Sequence, residues 1–252
     1  MSELKQIPRI KTDQATFLQI VKSIESLVEE ATIVLSQEGL IFRGMDPSHV
    51  ALIDIRIPNT CFEIWEVDQD VKFGFRTDEF RQILSSLNKK DPVTIEIHDM
   101  ELILTQKESR FKIRLIEVSA TDTPLPKIPY DASIQFDGLD LTVQNFKNAL
   151  KQISAVSDYV TLDSSETTVI LSGKGDSGDV EINYDRDQFA DLNVKQHSIS
   201  TYSLEYLTPF MQSLTKDSSL RVEYSSQKPL RLESKINNLG TIHFYLAPRV
   251  EN

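Results

Sequence analysis

Apolar residues recur along this chain at two spacings, one typical of helices and the other typical of strands. In residues 15–28, ATFLQIVKSIESLV, the apolar side chains fall on one face of a helix. Thr12 or Asp13, just before this run, can cap that helix. The same spacing predicts three more helices, at residues 77–90, 141–156 and 203–216.

Capping residues and prolines bear on where these helices begin and end. Thr77 or Asp78 can cap the second helix, and Pro92 is expected to stop it. Pro209 lies inside the fourth predicted helix. It is tolerable there only in or near the first turn, where its missing N–H has no helical partner to lose.

Strand-like runs separate the helices. They are rich in β-branched and aromatic residues and are bounded by turn residues. In the first half they cover residues 31–36, 40–45, 49–58, 93–98, 101–106 and 110–117. In the second half they cover residues 159–164, 168–173, 178–184, 220–225, 230–236 and 241–248.

A proline-rich segment, VSATDTPLPKIPYD, interrupts this order at residues 118–131. Three of the ten prolines of the chain fall in it, and each removes a backbone donor and fixes φ. Leu125 and Ile128 indicate that this extended connector lies against a surface. The chain is therefore expected to divide into three parts: an N-terminal domain at 1–117, the connector at 118–131 and a C-terminal domain at 132–252.

The order of elements repeats on either side of the connector. Phe17 and Phe146 stand 129 positions apart, about half the chain, and Phe80 and Tyr206 hold similar places in the later helices. This pattern predicts an α+β fold of two similar domains, each with sheets backed by two helices. The alternative is that any α+β protein shows helices at intervals.

Charge and composition exclude several classes of protein. The 27 Lys and Arg against 38 Asp and Glu give a net charge of −11, which argues against a strongly basic nucleic-acid binder. A hydrophobic content of 40% argues against disorder. The single Cys61 can form no internal disulfide. With no secretory signal or apolar run long enough to span a bilayer, the expectation is a soluble, intracellular protein that does not enter membranes.

Catalytic motifs are scarce. The four His residues are far apart in sequence, and neither a CxxC pair nor a G-x-S-x-G elbow is present. The glycine-rich loop at 172–179 lacks the spacing of a phosphate-binding loop. Asp46, Ser48 and His49 lie close in sequence, but a turn explains them better than a nucleophile and base. We therefore expect neither catalysis, nor a cofactor, nor a metal site.

Two segments resemble signatures of a known family. RGMDPSHVALIDI at 43–55 is similar to the first signature of the proliferating cell nuclear antigen family, the sliding clamps of eukaryotes and archaea. KPLRLESKINNLGTIHFYLAPRV at 228–250 is similar to its C-terminal signature. The resemblance extends over essentially the whole chain, and the proline-rich segment stands where the family has its interdomain connector. The short end after LAPRV looks more archaeal than eukaryotic.

The resemblance implies a DNA clamp fold and a non-catalytic processivity factor. Three chains would form a closed six-domain ring around double-stranded DNA, with helices lining the hole. A clamp loader would place the ring on DNA. DNA polymerase, flap endonuclease and DNA ligase would then dock by short helical peptides of the PIP type. The location would be the cytoplasm, at the nucleoid, in an archaeon, or the nucleus in a eukaryote.

The resemblance also implies three functional surfaces. The client-peptide pocket would include Met45, His49, Val50, Leu52, Leu125, Ile128, Pro229, Tyr245, Leu246, Ala247 and Pro248, although core packing is the alternative for Leu52 and Leu246. The DNA-facing surface would be the helix sides opposite the apolar stripes, and the cations on those sides, at their flanks or just before the first helix are Lys11, Lys22, Arg81, Lys89, Lys147, Lys151 and Lys216. Ordinary solvated helix faces are the alternative reading of that set. The subunit interface would include Arg110, Lys112, Arg114, Glu181, Tyr184 and Asp185.

Charge distribution reconciles this reading with the acidic composition. Residues 13–29, 77–90, 142–157 and 203–217, which contain the four predicted helices and their ends, sum to a net charge of zero, so the remainder of the chain carries the whole −11. Two other readings stay open. The chain could be one subunit of a heterotrimeric or checkpoint clamp, or a peptide-binding module of the same fold that does not bind DNA.

Overall fold

The computed structural model describes residues 6–117, 123–136 and 141–250. Residues 118–122, at the start of the predicted connector, lie outside this described part. The described residues form four α-helices: α1 Gln14–Glu25, α2 Thr77–Ser86, α3 Val143–Ile153 and α4 Leu204–Ser213. None of the helices in the described ranges has the length and apolar character needed to cross a membrane.

Eighteen strands accompany the helices in the described residues. Those of the first half are β1 Arg9–Asp13, β2 Glu30–Ser36, β3 Gly39–Met45, β4 Ala51–Pro58, β5 Ile64–Glu66, β6 Val71–Arg76, β7 Pro92–Ile97, β8 Glu101–Gln106 and β9 Ser109–Arg114. Those of the second half are β10 Ala132–Gln135, β11 Tyr159–Ser164, β12 Thr168–Gly175, β13 Gly178–Asp185, β14 Asp191–Val194, β15 Ser198–Ser203, β16 Arg221–Tyr224, β17 Leu230–Ile236 and β18 Gly240–Leu246.

The two halves have the same element order: one strand, a helix, five strands, a second helix and three strands. In the first half the strands neighbour one another in the orders β5-β1-β7-β8-β9 and β6-β2-β3-β4. In the second half the orders are β14-β10-β16-β17-β18 and β15-β11-β12-β13. Strand for strand these are the same topology. The predicted duplication and the α+β class are therefore confirmed.

The chain separates into two compact units that are not continuous in sequence. Unit 1 is drawn from residues 1–44, 53–123 and 236–241. Unit 2 is drawn from residues 45–52, 124–235 and 242–252. The loop between β3 and β4 and the C-terminal segment therefore both belong to unit 2, which also contains residues 124–131 of the connector.

The core of unit 1 is built on aromatic residues of its two helices. Phe17 of α1 and Phe80 of α2 are both 0% exposed, and their rings meet edge to face with centroids 5.7 Å apart. Phe75 of β6 packs against Phe80 at 5.0 Å. This arrangement adds aromatic attraction to the burial of apolar area, and it holds α1 and α2 against the strands through the apolar faces that their periodicity predicts.

The core of unit 2 follows the same plan. Phe146 of α3 contacts Phe136 at 5.0 Å, and Phe210 of α4 stacks on Phe244 at 4.6 Å. Phe17, Phe80 and Phe146 are each the fourth residue of their helices, and the fourth residue of α4 is Leu207. The repeat partner of Phe80 is thus Leu207, and the assignment of Tyr206 to that place was wrong by one residue.

Several predicted boundaries were also wrong. The hydroxyl of Thr77 does not cap α2. It donates to the carbonyl oxygens of Val28 and Glu29 at 2.9 and 3.0 Å, and Arg76 takes the N-cap position. Pro92 begins β7, because α2 ends earlier at Ser86. Pro209 is the sixth residue of α4 and lies beyond its first turn; the helix continues because a proline there removes one backbone hydrogen bond while its neighbours keep theirs.

Six strands were not predicted from the sequence: β1, β5, β6, β10, β14 and β15. The sequences of β10, ASIQ, and β15, SISTYS, are short and polar and lack a long apolar run. They pair because neighbouring strands offer them hydrogen-bonding edges. Such tertiary support is invisible to a local pattern.

Candidate functional site

The loop between β3 and β4 is organised by the carboxylate of Asp46. Its Oδ1 atom accepts hydrogen bonds from the backbone N–H groups of Val50 and Ala51 at 2.7 and 2.6 Å. Its Oδ2 atom accepts from the N–H of Ser48 at 2.9 Å and from the hydroxyl of Tyr206 at 3.2 Å. Asp46 is 4% exposed. This carboxylate shapes a turn, as the sequence favoured, and is not set up as a catalytic acid.

The same turn presents two residues predicted for the client-peptide pocket. His49 has a φ of 58°, and its Nδ1 atom lies 3.0 Å from the sulfur of Met45. A left-handed residue cannot continue a strand, so β4 begins at Ala51 and not at His49 as expected. His49 is exposed and Met45 is half-buried, which leaves both side chains available at the surface of unit 2.

A second buried carboxylate in the first signature serves the fold of unit 1. Asp54 is 1% exposed. Its Oδ1 atom accepts from Nε of Arg43 at 2.8 Å, and its Oδ2 atom accepts from Nε of Arg56 at 3.0 Å. An unpaired buried charge would be costly, so these arginines account for the presence of an acidic residue at this position.

The C-terminal signature reaches the β3–β4 loop directly. The N–H of Ala247 donates to the carbonyl oxygen of Val50 at 2.9 Å. Tyr245 is 6% exposed, whereas Ala247 and Pro248 are half-buried. Two other predicted pocket residues, Leu52 at 3% and Leu246 at 0% exposure, belong to the core of the protein. They can pack behind the residues that line the pocket, but they offer almost no surface to a peptide.

Residues 124–131 of the connector belong to unit 2 and form neither helix nor strand. Leu125 and Ile128 are half-buried in it, as is Pro229 elsewhere in the unit. The connector is fixed near its end, because the hydroxyl of Ser225 donates to the carbonyl oxygen of Pro129 at 3.3 Å and accepts from the N–H of Asp131 at 2.9 Å. These contacts hold the connector against the end of β16.

Tyr130 is a residue of this surface that the sequence prediction missed. The guanidinium of Arg231 lies over its ring at 5.2 Å. Burial raises the pKa of Tyr130, the guanidinium of Arg231 lowers it, and the phenol of Tyr245 raises it further. The available signal was that Tyr130 is the one aromatic residue in the connector.

Four of the seven predicted DNA-facing cations are exposed. Lys22 lies on α1 and Lys151 lies on α3, whereas Lys89 and Lys216 follow the ends of α2 and α4. Cations near the C-terminal ends of helices also meet the negative end of the helix dipole. Their ammonium groups make no hydrogen bond or ion pair within the part of the chain that the structure describes, so they can reach an anion outside the protein.

The other three predicted cations are engaged within their own units. Lys11 lies on β1, and its Nζ atom is 2.6 Å from Oε2 of Glu63. Arg81 bonds Oε1 of Glu25 at 2.7 Å. The third, Lys147, donates to a backbone carbonyl. The predicted set of seven therefore contains exposed cations together with cations that are engaged inside the protein.

The predicted interface residues lie on two edge strands. β9 ends one series of strands in unit 1, and β13 ends one series in unit 2. On β9, Arg110, Lys112 and Arg114 alternate with less exposed residues and form a positive face. On β13, Glu181 and Asp185 lie on an exposed negative face, and Tyr184 is half-buried on the other. Each edge leaves backbone donors and acceptors open for pairing.

The negative face of β13 has a further member, Asp179, that was not predicted as an interface residue. It stands two positions before Glu181 and is exposed. The two-residue period of a strand was sufficient to find it. On the opposite face, Tyr184 packs edge-on against Phe189 at 6.0 Å, and burial raises the pKa of Tyr184.

Together, the duplicated α+β units, the paired signature segments and the oppositely charged edge strands define a protein of the DNA clamp class. The family model of the proliferating cell nuclear antigen N-terminal domain matches residues 9–122, and that of its C-terminal domain matches residues 125–249. The chain belongs to the proliferating cell nuclear antigen family.

Named relatives and solved structures agree with this assignment. A DNA polymerase sliding clamp of Nitrosopumilus maritimus is 49% identical over 92% of this chain and 94% of its own length. In fold, the chain is similar to A. fulgidus PCNA with the C-terminal region of FEN-1 bound, at a TM-score of 0.89 and 24% identity over 97% of this chain and 99% of that chain. A PCNA2-PCNA3 complex from Sulfolobus tokodaii has a TM-score of 0.86 at 26% identity, over 96% of this chain and 100% of that one.

Proposed function

We propose that this chain is a DNA polymerase sliding clamp that assembles into a trimeric ring, encircles double-stranded DNA and tethers replication and repair enzymes. The observation that carries the proposal is the pair of open edges: a positively charged β9 in one unit and a negatively charged β13 in the other. A chain with two different, complementary edges joins head to tail.

Assembly follows from the chemistry of those edges. Antiparallel pairing of β9 from one subunit with β13 of the next would satisfy backbone groups that are otherwise open. The same pairing would bring Lys112 and its neighbours opposite Glu181 and its neighbours. Three chains would supply six units of one topology, and closure of the ring would leave neither edge exposed.

Contact with DNA would be weak and independent of sequence. The exposed cations, among them Lys22 and Lys151, stand on or beside helices and can approach phosphates. Phosphate contacts position a protein on a duplex but do not read bases. The net charge of −11 on each chain opposes tight binding, which suits a ring that is retained by topology and moves along the duplex.

Clients would bind the apolar surface of unit 2. Met45 and Val50 are half-buried and offer sulfur and aliphatic groups to an amphipathic helical turn with aromatic anchors, and the largely buried Tyr245 would form an aromatic wall of the pocket. DNA polymerase, flap endonuclease and DNA ligase are the clients proposed, with a clamp loader to place the ring. Tethering raises the effective concentration of these enzymes at DNA. The chain itself is assigned no catalytic step or cofactor, and its proposed place in the cell is on chromosomal DNA.

The mass of the purified protein tests this assembly. Light scattering is expected to give three times 28.7 kDa, with dissociation on dilution at high salt. A stable monomer at micromolar concentration would contradict the homotrimer. Because a similar structure is a PCNA2-PCNA3 complex, a monomer or dimer that completes a ring only with a second clamp chain would support the heterotrimeric alternative.

A further inference from the structure

Tyr206 occupies an unusual position for a large aromatic residue. It is the third residue of α4, and the residues on both sides of it in the helix, Glu205 and Leu207, are exposed and buried respectively. Tyr206 itself is half-buried. The equivalent third residue of α2 is Glu79, which is exposed. Packing of the helix core therefore does not explain the aromatic residue.

The contacts of the Tyr206 hydroxyl explain why a tyrosine stands at this position. That hydroxyl donates to Oδ2 of Asp46 at 3.2 Å. The other hydrogen bonds that Asp46 accepts in the described residues come from the backbone of its own loop. Tyr206 is thus the side chain that ties this loop to a helix.

We propose that Tyr206 is a positioning residue of the client-peptide pocket, fixing the loop at residues 46–50 through Asp46. The inference rests on the proposed function, because the pocket is the site where clients would dock. It adds a residue that acts through Asp46 and stands outside both signature segments.

The route from Tyr206 to the pocket is short. Asp46 receives the N–H of Val50, and the carbonyl oxygen of Val50 receives the N–H of Ala247. Movement of Asp46 would therefore disturb both walls of the pocket. The turn also holds His49 in a left-handed conformation, which is costly for a residue other than glycine and persists only where surrounding contacts enforce it.

The protonation state of Tyr206 suits this role. Burial raises the pKa of Tyr206, and the nearby Asp46 carboxylate raises it further. The phenol consequently keeps its proton throughout the neutral range and remains a donor to the carboxylate. Hydrogen bonds to an ionised acceptor are stronger than those between neutral groups.

The test compares Tyr206→Phe, which removes only the hydroxyl, with Thr208→Val on the same helix. The probe is a fluorescein-labelled synthetic peptide with one helical turn, one aliphatic and two aromatic anchors, titrated against the trimer. We expect Tyr206→Phe to raise the dissociation constant of the peptide about fivefold, and Thr208→Val to change that constant less than twofold. Hydrogen exchange is measured in parallel without peptide. We expect at least threefold faster exchange at the amides of residues 48, 50 and 51 in Tyr206→Phe alone.

Equal peptide affinity and equal exchange at these amides in Tyr206→Phe and the unaltered protein would overturn the inference. Faster exchange throughout unit 2, or failure to fold, would also overturn it by revealing general stabilisation. If the unaltered protein fails to bind the peptide, the proposed client site is wrong. The localised change in exchange would then still decide whether Tyr206 fixes the loop.

Discussion

The side-chain ammonium of Lys147 donates a hydrogen bond to the carbonyl oxygen of Leu214 across 2.6 Å. Lys147 lies in α3 and Leu214 immediately follows α4, so the bond joins the two helices of unit 2. Burial lowers the pKa of Lys147. Lys151, one turn later on α3, is exposed. Two lysines that the sequence grouped together thus have different environments.

This difference predicts different consequences for Lys151→Ala and Lys147→Ala. We expect Lys151→Ala to keep the trimer and its melting temperature but to dissociate from DNA faster, most visibly at low salt, because exposed phosphate contacts are screened by ions. We expect Lys147→Ala to lower the free energy of unfolding by about 1 kcal/mol, typical of a lost hydrogen bond. Thermal melts and DNA dissociation rates across a salt series measure both effects.

The two variants act as controls for each other. A DNA dissociation rate for Lys151→Ala that matches the unaltered protein at every salt concentration would remove this lysine from the DNA-facing surface. Equal melting temperatures for Lys147→Ala and Lys151→Ala would contradict the role given to the Leu214 contact.

Tyr245 is predicted to be an energetic centre of the client pocket. We expect Tyr245→Ala to weaken binding of a client peptide by at least about 1–2 kcal/mol, as is typical for truncation of an aromatic group at an interface. Isothermal titration of a synthetic peptide measures the change, and Ile199→Ala, which alters an exposed apolar residue of unit 2 outside the pocket, is the matched control. Unchanged affinity in a folded trimer of Tyr245→Ala would refute the site.

Charge reversal tests the pairing of the two edge strands. We expect Lys112→Glu on β9 to raise the trimer dissociation constant at least about tenfold, since like charges across an interface cost several kcal/mol. Adding Glu181→Lys on β13 should recover much of the loss. Sedimentation at a series of concentrations reports the assembly, with Lys72→Glu as an exposed control on another strand.

Recovery in the double variant is the decisive result for this pairing. Failure of Glu181→Lys to rescue Lys112→Glu would show that these residues do not face each other. Loss of the trimer in Lys72→Glu would show that total charge, and not strand pairing, governs assembly.

Acid sensitivity is predicted at Glu233 in unit 2. The pKa of Glu233 is lowered to about 2. The main cause is the hydrogen bond from Nε2 of His243 at 3.1 Å, and the ammonium of Lys235 at 3.2 Å lowers the pKa further. Burial of the carboxylate acts in the opposite direction. A carboxyl whose pKa is lower in the folded than in the unfolded protein stabilises the fold at any pH above its unfolded-state pKa, which is near 4.3. This stabilisation is lost as the pH falls toward the folded-state pKa.

We therefore expect Glu233→Gln to be less stable than the unaltered protein at pH 7, by about 1 kcal/mol after solvent screening. The difference should shrink as the pH falls from about 5 toward 2. Urea unfolding at several pH values measures it, with Glu205→Gln as an exposed control. A difference that stays constant over this range would mean that the carboxylate charge of Glu233 does not stabilise the fold.

The sequence predicted the helices well because their apolar residues keep a strong period. Phe17, Phe80 and Phe146 lie in the cores that the pattern implied. Short polar strands such as β15 were missed, because their pairing depends on neighbours distant in sequence. Residue types also could not separate the exposed Lys151 from the bonded Lys147, since the acceptor for Lys147 is a backbone carbonyl 67 positions away.

In the candidate pocket, too, the sequence predicted some of the residues and missed others. The signature segments named the residues that meet near Val50 and Ala247, but not why they meet. Tyr206 was absent from the predicted pocket because it belongs to neither signature, and Tyr130 because only the aliphatic residues Leu125 and Ile128 were chosen from the connector. Their roles arise from contacts with Arg231 and Asp46, which only folded coordinates reveal.

Retention on DNA of different topology tests the central claim most directly. The trimer is loaded by a clamp loader onto nicked circular DNA, washed at high salt, and the protein still bound is measured before and after the circle is cut once. An encircling ring is predicted to stay on the closed circle and to leave after linearisation, because it slides off a free end. Equal retention on circular and linear DNA would contradict a topological clamp.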